Sequence, residues 1–318
     1  MKFNFGLIGF SDISERIMID EIISNPKCSI KKIASKTKKV SKQVLKKTNA
    51  IECKDYFDVI NDKNIDVVYI SIPTGIRFKW TKLSLKAKKH VLIEKPATMN
   101  LYESKQITKL AIKNKVVLKE NFMFLHHKQH KFVKKIIDSN SIGKIKLINC
   151  KFTYPSFKKN NYRNSKSLGG GALYDVGCYS LKLANFFLGE KLKINNSNLI
   201  KKKGIDVFGN ISLSNSKHQI LNSVFGYNAP YQNSYEIICQ EGYVRVFRAF
   251  SIPSNNEARV DVFRKTKLKT YYKPDNHFKN ILKDFLSDIN KKNYLKNCKD
   301  IMLQSSMISR VFRSNKFK

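Results

Sequence analysis

The chain has 318 residues, more than one domain usually holds, so two domains are expected, each burying its own core. With 42% hydrophobic and 11% aromatic residues it reads as a folded protein, which excludes a chain that is disordered throughout. The formal net charge of +37 would mark a nucleic-acid partner if it were clustered, but lysines such as Lys36, Lys42, Lys265 and Lys269 are spread without a basic arm or stripe, so no nucleic-acid partner is expected.

In chain order, short apolar runs at Phe3 to Ile8, Ser29 to Ala34, Ile65 to Ile72, His90 to Ile93 and Val116 to Leu118 have the length of buried strands. Between them lie amphipathic stretches, among them Ile13 to Ser24, Lys42 to Thr48 and Phe78 to Lys88. This alternation predicts a doubly wound parallel sheet covered on both faces. After residue 122 the rhythm changes. A helix over Lys131 to Asp138 leads to a strand over Lys144 to Phe152, a basic loop over Pro155 to Leu168, and Gly169-Gly170-Gly171 before a helix over Ala172 to Leu188. Runs near Val207 to Leu213, Gln219 to Phe225, Tyr235 to Gln240, Tyr243 to Phe247, Arg259 to Phe263 and Lys267 to Tyr272 predict an open, mainly antiparallel sheet. Helices near Phe278 to Asn290 and Lys299 to Arg313 follow. The expected domains are therefore 1–121 and 122–318, with the last helices able to pack back on the first.

Cys28, Cys53, Cys150, Cys178, Cys239 and Cys298 show no paired spacing, and no metal site is expected. Without an apolar run of about 18 residues or a signal-like N-terminus, a cytoplasmic protein with no membrane partner is the expectation.

Gly9-Phe10-Ser11-Asp12-Ile13-Ser14 follows the first strand, where a dinucleotide fold needs a tight turn and free amides at a helix start to receive a pyrophosphate. Only Gly9 is glycine, so this turn alone is equally compatible with an ordinary strand-to-helix connection. The second strand ends in Ala34-Ser35-Lys36, without the acid that binds a ribose 2'-hydroxyl; Ser35 and Lys36 suit a 2'-phosphate instead, which favours NADP(H) over NAD(H). Glu94-Lys95-Pro96 sets a charged pair at the carboxyl end of a buried strand, where such sheets place ligands. Asp175 and Tyr179, four residues apart around Gly177, share a helix face. A tyrosine whose phenolate is stabilised by a cation such as Lys95 can exchange a proton near neutral pH.

Taken together, Ile8 to Arg16, Ile33 to Lys39, Ile65 to Thr74, Lys89 to Pro96, Glu120 to Phe124 and Gly169 to Tyr179 resemble the Gfo/Idh/MocA oxidoreductases nearly end to end. The resemblance implies an N-terminal Rossmann domain and a C-terminal domain whose open sheet makes a homodimer or homotetramer. It places the conserved lysine at Lys95 and the catalytic position at Tyr179, as in the branch of glucose-fructose oxidoreductase and dihydrodiol dehydrogenases rather than the histidine of inositol dehydrogenases. It extends the cofactor contacts to Ile72, Pro73, Thr74, Arg77, Glu94 and Lys95, although Arg77 departs from a common histidine. It assigns substrate contacts to Lys95, Asn121, Arg163, Asp175 and Tyr179. His126, His127 and His130 are expected to be structural or exposed.

The expected activity is hydride transfer between the nicotinamide and a carbinol or carbonyl carbon of a sugar, cyclitol or cyclic diol, with Lys95, Tyr179 and Asp175 as the catalytic residues: Tyr179 exchanges the proton, Lys95 lowers its pKa and orients the oxygen, and Asp175 positions substrate or Lys95. Two alternatives stand beside it: a sugar-nucleotide dehydrogenase or reductase of surface polysaccharide synthesis, its diphosphate received by the loop from Phe157 to Lys166, and a non-catalytic sensor of NADP(H) or sugar.

Overall fold

The computed structural model describes residues 2–315. Chain contacts divide it into two compact units, one built from the chain up to Asn121 together with Phe278–Ser305, the other from Phe122–His277 together with the residues after Ser305.

The first unit is organised by strands β1 (Phe3–Ile8), β2 (Cys28–Ala34), β3 (Ile51–Cys53), β4 (Val67–Ile70), β5 (His90–Ile93) and β6 (Leu118–Glu120). They form one sheet in the order β3-β2-β1-β4-β5-β6, every pairing parallel. Both faces are buried, as the continuous apolar runs demand: Ile8, Ile70 and Ile93 lie in register on one side, Leu7, Tyr69 and Leu92 on the other. Helices α1 (Ile19–Ile23), α2 (Lys42–Thr48), α3 (Phe57–Ile60), α4 (Thr74–Lys86) and α5 (Leu101–Lys113) make the crossovers. Asn100 caps α5 by accepting from the Glu103 amide at 2.9 Å, and Glu103 reaches back to the Met99 amide at 2.9 Å. The chain order reverses between β1 and β4, the switch point beyond whose carboxyl ends such sheets bind nucleotides. Two details depart from expectation. The edge strand β3 carries no apolar run, and the helix expected from Ile13 opens with a π-helical turn at Ser14–Met18.

The second unit holds α6 (Lys128–Asp138), β7 (Ile145–Thr153), α7 (Cys178–Leu188), β8 (Lys193–Lys202), β9 (Ile205–Ser214), β10 (Ile220–Gly226), β11 (Gln232–Cys239), β12 (Gly242–Val246), β13 (Ala258–Arg264) and β14 (Lys267–Lys273). The sheet runs β14-β13-β12-β11-β7-β10-β9-β8 and is antiparallel except for β7 with β10. Its strands alternate. Phe152, Leu221, Phe225, Ile211 and Tyr235 are buried, whereas Asn149, Lys151, Asn210, Asn222, Ser234 and Glu236 line a polar depression on the opposite face. Strand β8 was not expected from the sequence. His127 caps α6 by accepting from the Gln129 amide at 3.2 Å, and His130 bridges Tyr235 Oη (3.0 Å) and the Ala249 carbonyl (2.8 Å). Burial pushes the His130 pKa down to about 3, so this bridge is made by a neutral ring.

Two helices follow, α8 (His277–Asn290) and α9 (Tyr294–Ser314). Within the first unit Lys119 of β6 pairs with Asp284 and, at 2.6 Å, with Asp288, which also accepts from Asn297 Nδ2 at 2.9 Å. These bonds tie both helices to the edge of the parallel sheet.

Candidate functional site

Residues assigned from the sequence fall into one group in each unit. In the first unit they gather at the carboxyl ends of β1, β2, β4, β5 and β6. Gly9 leaves β1 with φ +97°, and a Cβ there would come within 2.7 Å of Ile72 Cγ2, so the turn lies against the exit of β4 with no room for a side chain. Ser71 Oγ donates to the Gly9 carbonyl at 3.1 Å and closes the same contact. Phe10 is buried, whereas Asp12 is largely exposed. Ser11 Oγ accepts from the Ser14 amide at 3.3 Å, and Ser14 Oγ donates back to the Ser11 carbonyl at 2.7 Å. The two serines thus shape the turn that glycines shape in a standard fingerprint. The Ser14 and Glu15 amides are thus turned to Ser11, and the Asp12 and Ile13 amides ahead of them stand at the helix start, where a first turn offers donors that suit a pyrophosphate.

Ser35 is half-buried at the end of β2, its Oγ accepting from the Lys38 amide at 3.3 Å. Lys36 is exposed, and its ammonium lies 5.0 Å from the Tyr56 ring centroid and 5.2 Å from that of Trp80. Lys38 is instead engaged with Glu15. Ile72 and Pro73 form the exit of β4, and Thr74 is the buried first residue of α4.

Arg77, expected among the cofactor contacts, is buried, and its guanidinium donates to backbone carbonyls. Nε and Nη2 bond Ile72 O at 3.0 and 2.7 Å, and Nη1 bonds Glu94 O and Pro96 O, each at 2.5 Å. The cation clamps the exits of β4 and β5 together. Glu94 Oε1 accepts from Tyr69 Oη (2.8 Å) and Asn121 Nδ2 (2.5 Å), so the residues flanking Lys95 are fixed by side chain and backbone alike. Lys95 itself is half-buried. Asn121 is fully buried, and its Oδ1 has no hydrogen-bond partner, leaving an acceptor for a ligand donor. These residues fit a bound dinucleotide: a tight glycine turn, helix-start amides, a cation past β2 and an orphan acceptor past β6.

In the second unit Arg163 and Asp175 come together, with Arg163 Nε donating to Asp175 Oδ2 at 2.6 Å. Burial opposes the Arg163 charge, and the Asp175 carboxylate overcomes that opposition and holds the guanidinium charged. Tyr227, which sequence reasoning missed, donates to the Gly171 carbonyl (3.1 Å) and lies 3.2 Å from Asp175 Oδ2. Gly171 has φ +125°, and a Cβ there would meet Asp206 Oδ1 at 2.4 Å; Asp206 Oδ2 accepts the Leu173 amide at 2.5 Å. The glycine run is thus the tight entry to α7, braced by a carboxylate from β9. Nothing in the local sequence around Tyr227 or Asp206 signals either role. Tyr179 on α7 is only 4% exposed, with Phe122, Phe124, Phe152 and Phe250 at ring distances of 5.1 to 5.5 Å and its hydroxyl 3.8 Å from Met123 Sδ. Asp175 and Tyr179, expected on one helix face, therefore engage different partners.

Among the described residues no cluster of His, Cys, Asp and Glu could hold a metal ion, and no helix is long and apolar enough to cross a membrane.

A six-stranded sheet with a nucleotide turn, joined to a second unit carrying an acid and a caged phenol, is the equipment of an NAD(P)-dependent oxidoreductase. The profile described as an oxidoreductase family with NAD-binding Rossmann fold matches residues 3–122, and that of the GFO/IDH/MocA C-terminal domain matches residues 130–245. The dTDP-3,4-didehydro-2,6-dideoxy-alpha-D-glucose 3-reductase of Actinomadura kijaniata is 30% identical over 271 residues, 85% of this chain and 82% of that protein. The enzyme of the same name from Streptomyces antibioticus is 27% identical over 288 residues, 90% of this chain and 88% of its own. The crystal structure of a 3-ketoreductase from Actinomadura kijaniata, in complex with NADP and TDP-benzene, is similar with a TM-score of 0.94 at 27% identity, covering 99% of this chain and 98% of that one. The chain belongs to the Gfo/Idh/MocA family of oxidoreductases.

Proposed function

We propose that the protein is an NADPH-dependent ketoreductase of nucleotide-linked sugars. The observation that carries this reading is its similarity, over 85% of its length, to a reductase of a dTDP-linked keto sugar. The free sugar, cyclitol or cyclic diol expected first from the sequence gives way to the sugar-nucleotide alternative for that reason. When bound, the reduced nicotinamide supplies hydride to the keto carbon. Tyr179 delivers a proton to the carbonyl oxygen, and Lys95 orients that oxygen and favours the phenolate left behind. The Arg163 and Asp175 pair, braced by Tyr227, positions the sugar hydroxyls. A sensor that binds without turnover is the reading from another class.

The test is NADPH consumption with a dTDP-linked 3-ketosugar against the same ketosugar without the nucleotide and against cyclic diols. We expect kcat/KM at least about tenfold higher for the linked sugar, because remote binding energy is used at the reacting centre. Turnover of free sugars or diols with none of the linked sugar would sink the reading, and tight NADPH binding without turnover of any would favour the sensor.

Lys36 carries the NADPH preference, since its ammonium stands past β2 where an acid would select NADH. Lys36→Ala is expected to raise KM for NADPH about tenfold, the scale of a charge-assisted hydrogen bond, and to leave KM for NADH unchanged. Equal changes for both cofactors would remove the assignment.

A further inference from the structure

The second unit carries a row of aromatic rings that differs from its core. The rings around Tyr179 are buried, as packing requires. A second set, where β7 ends and the β10–β11 turn begins, is partly open to solvent. Tyr154 lies 5.0 Å from Tyr231, edge to face, and 6.0 Å from Phe157; Phe157 meets Tyr227 at 5.0 Å. Tyr231 is 38% exposed, and Tyr154 and Phe157 are half-buried. The row ends at the Tyr227 hydroxyl, 3.2 Å from Asp175 and one helical turn before Tyr179.

The row is held rigidly. The Tyr154 amide donates to the Gly226 carbonyl at 2.9 Å, the Ala229 amide to the Tyr154 carbonyl at 3.2 Å, and Thr153 Oγ1 to the Pro230 carbonyl at 2.5 Å. Guanidinium groups stand over it. Arg163 lies 4.7 Å from the Phe157 centroid, and Arg248 lies 6.0 Å from that of Tyr231. Arg248 has φ +33°, a conformation side-chain-bearing residues seldom adopt, with its carbonyl accepting from Gln129 Nε2 at 3.3 Å. A strained backbone that aims an exposed cation across a half-exposed ring suits a ligand that is both planar and anionic. Aromatic faces take a base by stacking, and arginine takes its carbonyl or phosphate oxygens.

The geometry points to Tyr154 and Tyr231, closed over by Arg248, as the shelf for the nucleobase of a nucleoside-diphosphate sugar, with the diphosphate running past Phe157 and Arg163 toward the sugar at Asp175. This rests on the sugar-nucleotide reading of the substrate and adds which residues recognise the nucleotide. Stacking depends on the ring face rather than on the phenol, and it discriminates weakly among bases.

Calorimetric titration with TDP, in the presence of NADPH, tests the shelf. Tyr231→Ala and Arg248→Ala are each expected to weaken TDP about tenfold or more, Tyr231→Phe to leave it within about threefold, and pyrophosphate, which has no base, to bind Tyr231→Ala as it binds the parent. NADPH affinity, unchanged in all three variants, reports that they are folded. If the parent binds TDP and both alanine variants bind it equally well, the shelf is wrong while the sugar-nucleotide reading stands. If the parent does not bind TDP at all, both are overturned.

Discussion

Tyr179→Phe is expected to lower kcat by about 10²- to 10⁴-fold, the range that a positioned proton donor contributes. NADPH affinity should stay within about twofold. The buried ring is held by four phenylalanines, and the substitution removes only the oxygen, with its weak donation to Met123 Sδ at 3.8 Å. Packing survives, so the thermal transition should move little. Because the lost interaction develops only as the carbonyl oxygen gains charge, kcat and kcat/KM should fall together. Steady-state kinetics on an accepted substrate decide the matter: a kcat within about threefold of the parent removes Tyr179 from the chemistry. A KM rise at constant kcat would make it a binding residue only.

The parallel sheet was legible because its strands are apolar on both faces, and a run such as Val67–Ile70 needs no partner to be recognised. Strand β8 was not, for a physical reason. It is an edge strand in which only Ser197 and Leu199 are buried, and with a serine at one of these two inward positions and asparagines around it no apolar alternation is left to read. The same contrast runs through the candidate site. Gly9, Lys95 and Asp175 stand in local contexts that state their conformation or their place at a strand or helix end. Tyr227 joins Asp175 from 52 residues away, and Asp206 reaches the Leu173 amide from 33 away, so neither pairing leaves a spacing to read. The Arg77 clamp was not legible because its partners are carbonyls, which every residue has and no sequence displays.

That clamp gives the largest expected effect on stability. Arg77→Met keeps much of the side-chain volume and removes every donor, leaving the carbonyls of Ile72, Glu94 and Pro96 without the bonds that Arg77 makes to them. Each buried acceptor left unsatisfied costs about 1–3 kcal/mol, so a loss on the order of 4 kcal/mol is expected. Urea unfolding measures it through a lowered midpoint at unchanged slope. Arg77→Lys should recover part of the loss, since one ammonium carries three donors but cannot span the fork that serves β4 and β5 at once. Two of these carbonyls, those of Glu94 and Pro96, flank Lys95, so the methionine variant should also lose kcat while it remains folded, and the lysine variant should regain activity in step with stability. A methionine variant within about 1 kcal/mol of the parent would show that the clamp does not hold these strand ends. One that is destabilised yet fully active would show that the position of Lys95 does not depend on it. Either way the result separates from Tyr179→Phe, where activity is lost and stability kept.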